Sequence, residues 1–222
     1  MINNSRTILV VLTVGVLAIA AIAATLLTRD EDPQSAQSSQ DVMATIRAAL
    51  SSEGAPMLGD ANAKVHIVEF IDPACETCAL FFPMVKQWMA EVPGEIRLSV
   101  RHVAFHAGSE YPVKVLEASR KQDKYWETLE ALLASQSEWT QHHTVLPDKV
   151  GPAIAGVGLD MDQLKADMNS MEVMVRMERD KKDAMLLKVT KTPEYFVNGR
   201  ALPGFGAQQL ADLVREELAK TR

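Results

Sequence analysis

The spacing of apolar residues changes several times along this chain, and each change marks an element. From Thr7 to Leu27 no residue is charged, and the run is dominated by Ile, Leu, Val and Ala. At about 1.5 Å of rise per helical residue, such a run can cross a hydrocarbon core of about 30 Å. Thr28 to Gln40 shows no apolar period and reads as a tether. Asp41 is placed to cap a short helix carrying Val42, Ile46 and Leu50, and Gly54 to Asn62 reads as loop. Val65 to Ile71 is β-branched and aromatic, and short enough for a buried strand. After Pro73, the residues Leu80, Phe81, Met84, Val85, Trp88 and Met89 recur at steps of three and four. That spacing predicts a helix with a wide apolar face, kinked at Pro83. Ile96 to Val103 alternates as a second strand.

From Ser109 to Lys188 the period is helical. Tyr125, Trp126, Leu129, Leu132 and Leu133 share one face, and Asp160 with Gln163 resembles a capping box that opens another helix. Strand character returns in Tyr195-Phe196-Val197, followed by Asn198-Gly199. Asn-Gly is a strong hairpin signal because both central residues must take positive φ, so Arg200 to Leu202 is the expected return strand. A last helix carries Leu210, Leu213, Val214 and Leu218. The order strand, helix, strand, helical block, hairpin, helix predicts an α/β domain. Its mixed sheet should carry helices on its faces and a helical insertion in the middle.

Composition narrows the chemistry. The net charge of −6 argues against a nucleic-acid surface as the main business of the protein. There are two cysteines, Cys75 and Cys78. Two thiolates do not close a zinc site, and a structural disulfide across so short a loop would constrain the unfolded chain little. Reversible redox chemistry is the favoured use. Cys75-Glu76-Thr77-Cys78 lies where a strand hands over to a helix, so the first thiol meets the unpaired N–H groups of a helix N-terminus, which stabilise a thiolate. The second cysteine can then resolve a mixed disulfide.

The compartment follows from the apolar run. Arg6 and the amino terminus precede it, while Asp30, Glu31 and Asp32 follow Arg29 after it, so the positive-inside rule places the rest of the chain outside the cytoplasm, with residues 1–28 as a single-pass anchor in the cytoplasmic membrane. Cleavage after Ala21-Ile22-Ala23 is the alternative; either reading exports the domain to where disulfides form.

The stretch Val68-Glu69-Phe70-Ile71-Asp72-Pro73-Ala74-Cys75-Glu76-Thr77-Cys78 resembles the active-site entry of DsbA-like proteins of the thioredoxin superfamily. Thr192-Pro193, just before Tyr195-Phe196-Val197-Asn198-Gly199, resembles the cis-proline loop of that superfamily. The resemblance implies a thioredoxin-like domain over residues 56–222, with its helical insertion at about 107–188 and a linker at 29–55 before it. It implies Cys75 as nucleophile, Cys78 as resolving thiol and Glu69 as a buried acid that exchanges a proton with Cys78. It also implies a cis Pro193 that sets the Thr192 backbone opposite Cys75 to pair with substrate. Cysteine-containing proteins are the expected substrates and a membrane redox protein the expected partner. No bound organic cofactor is needed, because the dithiol carries the two electrons. Glu76 and Thr77, between the cysteines, are the residues expected to tune the thiol. Many relatives carry proline or another neutral residue where this chain has Glu76, and a carboxylate there should raise the Cys75 pKa relative to a histidine or proline neighbour and make the protein less oxidising than the strongest family members. The direction of electron flow stays open at this point.

A rival reading is a copper-handling or chaperone-like protein on the same fold. Its support is Glu76 and the series Met168, Met171, Met174 and Met177, spaced every third residue, although a step of three spreads the methionines around about half of a helix. His102 with His106, and His142-His143, read as structural or surface residues rather than ligands. Trp88, Trp126 and Trp139 read as core or groove-lining, and Glu178 to Asp183 as a solvated helix face.

Overall fold

The computed structural model describes residues 33–51 and 53–220. The expected anchor lies outside the described residues; among those described, no helix is long and apolar enough to cross a membrane. The chain divides into two compact units, Met1–Ala44 and Thr45–Arg222, and the second carries the sheet. Helix α1 (Pro33–Ser51) runs across that division and starts well before Asp41, so the tether expected up to Gln40 is helical from Pro33. Proline suits the first helical turn, where its missing N–H is not needed, and the Gln- and Ser-rich run that follows is compatible with helix without an apolar stripe.

The remaining elements follow in order. Strand β1 (Met57–Leu58) precedes β2 (Val65–Ile71), α2 (Glu76–Glu91) and β3 (Ile96–His102). An inserted block then holds α3 (Glu110–Ser119), α4 (Tyr125–Ala134), α5 (Gln136–Trp139), the strands β4 (Thr140–Gln141) and β5 (Thr144–Val145), α6 (Pro147–Ala153), α7 (Met161–Asp167) and α8 (Met171–Leu186). Strands β6 (Glu194–Val197) and β7 (Arg200–Ala201) form the hairpin, and α9 (Ala207–Lys220) closes the domain. The sheet order is β1-β3-β2-β6-β7. Central β2 runs parallel to β3, from Val65↔Ile96 to Ile71↔His102, and antiparallel to β6. A strand covered on both faces needs a near-continuous apolar run, and β2 is buried everywhere except at the half-buried His66.

Side chains alternate across β2 and feed two cores. Val65, Ile67 and Ile71 pack with Cys78, Phe82 and Val85 of α2 and with Leu116, Leu129, Leu132 and Trp139 of the insertion. Val68 and Phe70 pack on the other side with Val103, Ala184, Val189 and Phe196. Helix α2 runs through Pro83 without a break; proline costs it one bond to the Ala79 carbonyl, which a helix held by so much apolar contact tolerates.

Two details differ from the sequence pattern. Strands β4 and β5 make a small hairpin inside the helical block, closed by His142 and His143 at φ 49° and 59°. Strands of two residues carry no readable alternation, and histidine is among the non-glycine residues enriched at positive φ. The box at α7 is half formed. Asp160 accepts from the N–H groups of Asp162 and Gln163, but its own N–H goes to Oε1 of Gln122, and Gln163 turns instead to Asp167.

One buried cation organises the second face. Arg101 of β3 donates Nε–H to Asp180 at 2.6 Å, Nη2–H to Asp183 at 2.5 Å and Nη1–H to the Ala49 carbonyl at 2.9 Å. Asp180 also accepts from the His102 backbone N–H at 2.8 Å. The run from Glu178 to Asp183 is therefore no simple solvated face, since Asp180 is buried. Breaking a buried pair from one side costs about 3–5 kcal/mol, so Asp180→Ala is expected to lower stability by about that amount in guanidinium unfolding. A loss below about 1 kcal/mol would mean that Asp183 alone satisfies Arg101.

Candidate active site

The site forms where β2 ends. Asp72 is fully buried, and its Oδ1 accepts from the Ala74 N–H at 2.8 Å while its backbone carbonyl accepts from the Cys75 N–H at 2.9 Å. Its Oδ2 accepts from the backbone N–H groups of Phe105 and His106 and pairs with His106 Nδ1 at 2.8 Å. Gln136 of the insertion donates to the Pro73 carbonyl at 2.7 Å. The turn that presents Cys75 is thus tied to the segment after β3 on one side and to α5 on the other.

Cys75 is the N-cap of α2, with extended backbone at φ −81° and ψ 116°. Cys75 is 6% exposed and Cys78 is fully buried; both are free thiols. The Thr192–Pro193 bond is cis, and the Cys75 thiol donates to the Thr192 carbonyl at 3.2 Å. The neighbouring Cys78 thiol does most to bring the Cys75 pKa down to about 5. Partial burial opposes this, while the Thr192 side chain and the backbone N–H groups of Cys78 and Thr77 add to it. Cys78 goes the other way. Burial, then the charge on Cys75 and on Glu69, pushes its pKa far above the ordinary thiol range. One thiol is ready to be a thiolate and its neighbour is held protonated.

Glu69 sits beneath them on β2, fully buried. Its cross-strand partner Tyr195 donates Oη–H to Oε1 at 2.8 Å, while Oε2 is buried without a hydrogen-bond partner. Burial raises the Glu69 pKa to about 8; the Tyr195 bond opposes this and the charge on Cys75 adds to it. The carboxyl therefore gains and loses its proton near neutral pH.

Apolar side chains are exposed on α2 and near the cis-proline loop. Leu80 is 74% exposed one turn into α2, and Phe81 stacks between Tyr195 at 6.1 Å and Phe205 at 5.0 Å. Lys191 lies over the Phe205 ring at 5.5 Å, on the approach to the cis-proline loop.

The residues read from sequence fall into three groups. Cys75, Cys78, Glu69, Thr192 and Pro193 come together in one site. Thr77 acts through its backbone N–H. Glu76 is exposed and does not outweigh the groups that bring the Cys75 pKa down; its effect relative to a proline or histidine at that position is what Glu76→Gln reads. Water screens a carboxylate pointing outward, whereas the N–H groups and the Cys78 thiol act at contact. Asp72, Gln136 and Tyr195 were missed. The short Asp72–Ala74 turn has a local signal in Asp followed by Pro, but the other partners are distant in sequence.

The metal readings gain nothing here. His102 pairs with Glu117 at 3.1 Å and Tyr125 at 3.0 Å, whereas His106 serves Asp72, so the two share no ligand position. His102, Glu117 and Asp180 lie close enough to suggest a cation site, but Arg120 and Arg176 already bind Glu117, and Arg101 binds Asp180. Met168 is buried, Met171 is solvent-facing, and Met174 and Met177 line a groove of about 410 Å³ between α3 and α8. Trp139 is in the core, and Trp88 and Trp126 pack against it.

A family model described as Thioredoxin matches residues 51–214. The disulfide bond formation protein D of Bacillus subtilis is 26% identical over 76% of this chain and 79% of its own length. The thiol:disulfide interchange protein DsbA of Bordetella parapertussis is 26% identical over 65% of this chain and 68% of its own. The Na(+)/H(+) antiporter NhaA of Herminiimonas arsenicoxydans is 30% identical over 66% of this chain, which spans 22% of that relative's length. Among solved structures, a thioredoxin-like oxidoreductase from Silicibacter pomeroyi superposes with a TM-score of 0.68 at 27% identity, covering 78% of this chain and 98% of the other. Fold, dithiol site and relatives agree: this chain belongs to the thioredoxin family and is a DsbA-like thiol–disulfide oxidoreductase.

Proposed function

We propose that this protein donates disulfides to cysteine-containing proteins outside the cytoplasm, held at the membrane by residues 1–28 and reoxidised by a membrane redox protein. The observation that carries the direction is the pair of opposed thiols. A Cys75 pKa near 5 stabilises the reduced form, and a dithiol whose reduced form is stabilised is a strong oxidant. The charge pattern around Thr7 to Leu27 supports the location, and the name of the Bacillus subtilis relative supports disulfide formation as the task.

The cycle balances without any bound cofactor. In the oxidised protein Cys75 and Cys78 share a disulfide. A substrate thiolate attacks Cys75 Sγ, the Cys75–Cys78 bond breaks, and Cys78 leaves as a thiolate that takes a proton from Glu69. A second substrate thiolate attacks the substrate sulfur of the mixed disulfide. The substrate disulfide forms and Cys75 leaves as a thiolate, so two electrons pass to the protein. The cis-proline loop aligns the substrate strand at Thr192, and the apolar surface of Leu80, Phe81 and Phe205 favours unfolded chains with exposed side chains. The copper reading is not favoured, because its methionines run from the core to solvent.

Equilibration of the Cys75–Cys78 pair with glutathione buffers is expected to give a potential nearer ~−120 mV than ~−270 mV. A value near ~−270 mV would assign the protein to reduction instead. Cys75→Ser/Cys78→Ser is expected to abolish oxidative refolding of a reduced substrate protein, and retained activity would remove the dithiol from the mechanism.

Glu69 gives a second test. Its folded pKa near 8 lies above the unfolded value, so it has no effect below about pH 4.5, where both states are protonated. Between there and about pH 8 the unfolded chain ionises first, and Glu69 destabilises the fold increasingly. Glu69→Leu in the reduced protein is therefore expected to gain stability relative to the parent by about 1.4 kcal/mol per pH unit across that window. A difference that does not change with pH would contradict the raised pKa.

A further inference from the structure

Glu69 and Tyr195 face each other across β2 and β6, and both are completely buried. A phenylalanine would fill the same space between β6 and the Phe81 ring, so packing does not require the Tyr195 hydroxyl. The hydroxyl has one partner, Oε1 of Glu69, at 2.8 Å. A carboxyl group otherwise turns about its last torsion, which is broad, and either oxygen could take either place. The bond to Oε1 removes that freedom and leaves Oε2 as the oxygen without a protein partner. Glu69 also lies close enough to Cys78 for its charge to raise the Cys78 pKa.

We infer that Tyr195 is a positioning residue for the disulfide chemistry: its hydroxyl pins Oε1 of Glu69, so that Oε2 is the oxygen that exchanges the proton with Cys78. The inference rests on the reading of Glu69 as proton carrier. When the protein resolves a mixed disulfide, the Cys78 proton passes to Oε2, Cys78 Sγ attacks Cys75 Sγ, and the bound thiol leaves as a thiolate. No electron or proton is left unassigned. The groups that face Glu69 are Cys75 and Cys78 from α2, Tyr195 from β6 and Tyr125 from α4, while β3 sets Val100 beside it. Burial and the Cys75 charge favour the protonated carboxyl; the Tyr195 bond favours the carboxylate. Removing the hydroxyl therefore moves the Glu69 titration upward.

The test is the pH dependence of resolution in the full chain. Reduced protein is reacted with oxidised glutathione, and release of the second glutathione by Cys78 is followed in single turnover from pH 5 to 9. The parent rate is expected to rise with pH as Glu69 becomes a base, and Glu69→Gln is expected to lose that rise. Tyr195→Phe is expected to keep the rise but to move its midpoint up by roughly one pH unit, the equivalent of one hydrogen bond. If Glu69→Gln loses the rise and Tyr195→Phe has the parent midpoint, the positioning role is overturned while the Glu69 reading stands. If Glu69→Gln keeps the parent profile, the Glu69 reading falls and the inference with it. Should Tyr195→Phe fail to fold, the infrared difference between the parent and Glu69→Gln decides the point. A hydrogen-bonded carboxyl C=O band supports the inference, and a free C=O band overturns it.

Discussion

A carboxyl group on the central strand of a sheet has no water to solvate its charge, and the protein must either compensate that charge or let the group keep its proton. Two buried acids here, on β2 and one residue past its end, receive very different numbers of hydrogen bonds. Asp72 receives four hydrogen bonds, from Ala74, Phe105 and twice from His106, and becomes the anchor of the Cys75 turn. Glu69 receives one, from Tyr195, and its pKa rises into the neutral range. The difference in compensation makes one acid a structural clamp and the other a proton reservoir.

The two thiols follow the same logic. Cys75 stands at a helix N-terminus beside the Thr77 and Cys78 N–H groups, which suit an anion. Cys78 is one turn deeper, among apolar side chains and near two negative charges, which suit a neutral thiol. Redox asymmetry therefore comes from depth below the surface, and depth is set by the packing of α2 on β2. The inserted helices complete the arrangement, since Gln136 holds the Pro73 carbonyl and Leu116, Leu129, Leu132 and Trp139 close the core over the buried thiol.

Much of this was legible from local sequence. Val65 to Ile71 is strand in the structure because both of its faces are covered, which is what its unbroken apolar run requires. Asn198 and Gly199 take φ 48° and 81°, the conformations their turn needs. The pairings that span long stretches of chain were not legible. Tyr195 reads as an ordinary strand aromatic, and only the β2–β6 register brings its hydroxyl to Glu69, 126 residues away. Arg101 reads as a charge on a strand, yet it is buried because α8 supplies Asp180 and Asp183. Glu76 adjoins Cys75 in sequence, yet it is exposed, and the groups that bring the Cys75 pKa down act at contact.

The central claim is that the fold makes Cys75 a thiolate well below neutral pH. It is tested most directly by titrating the ultraviolet absorbance of the thiolate in the reduced protein, with Cys75→Ser as the blank. The structure predicts a midpoint near 5 that vanishes in the variant. A midpoint near the ordinary thiol value of about 8.5 would contradict the account.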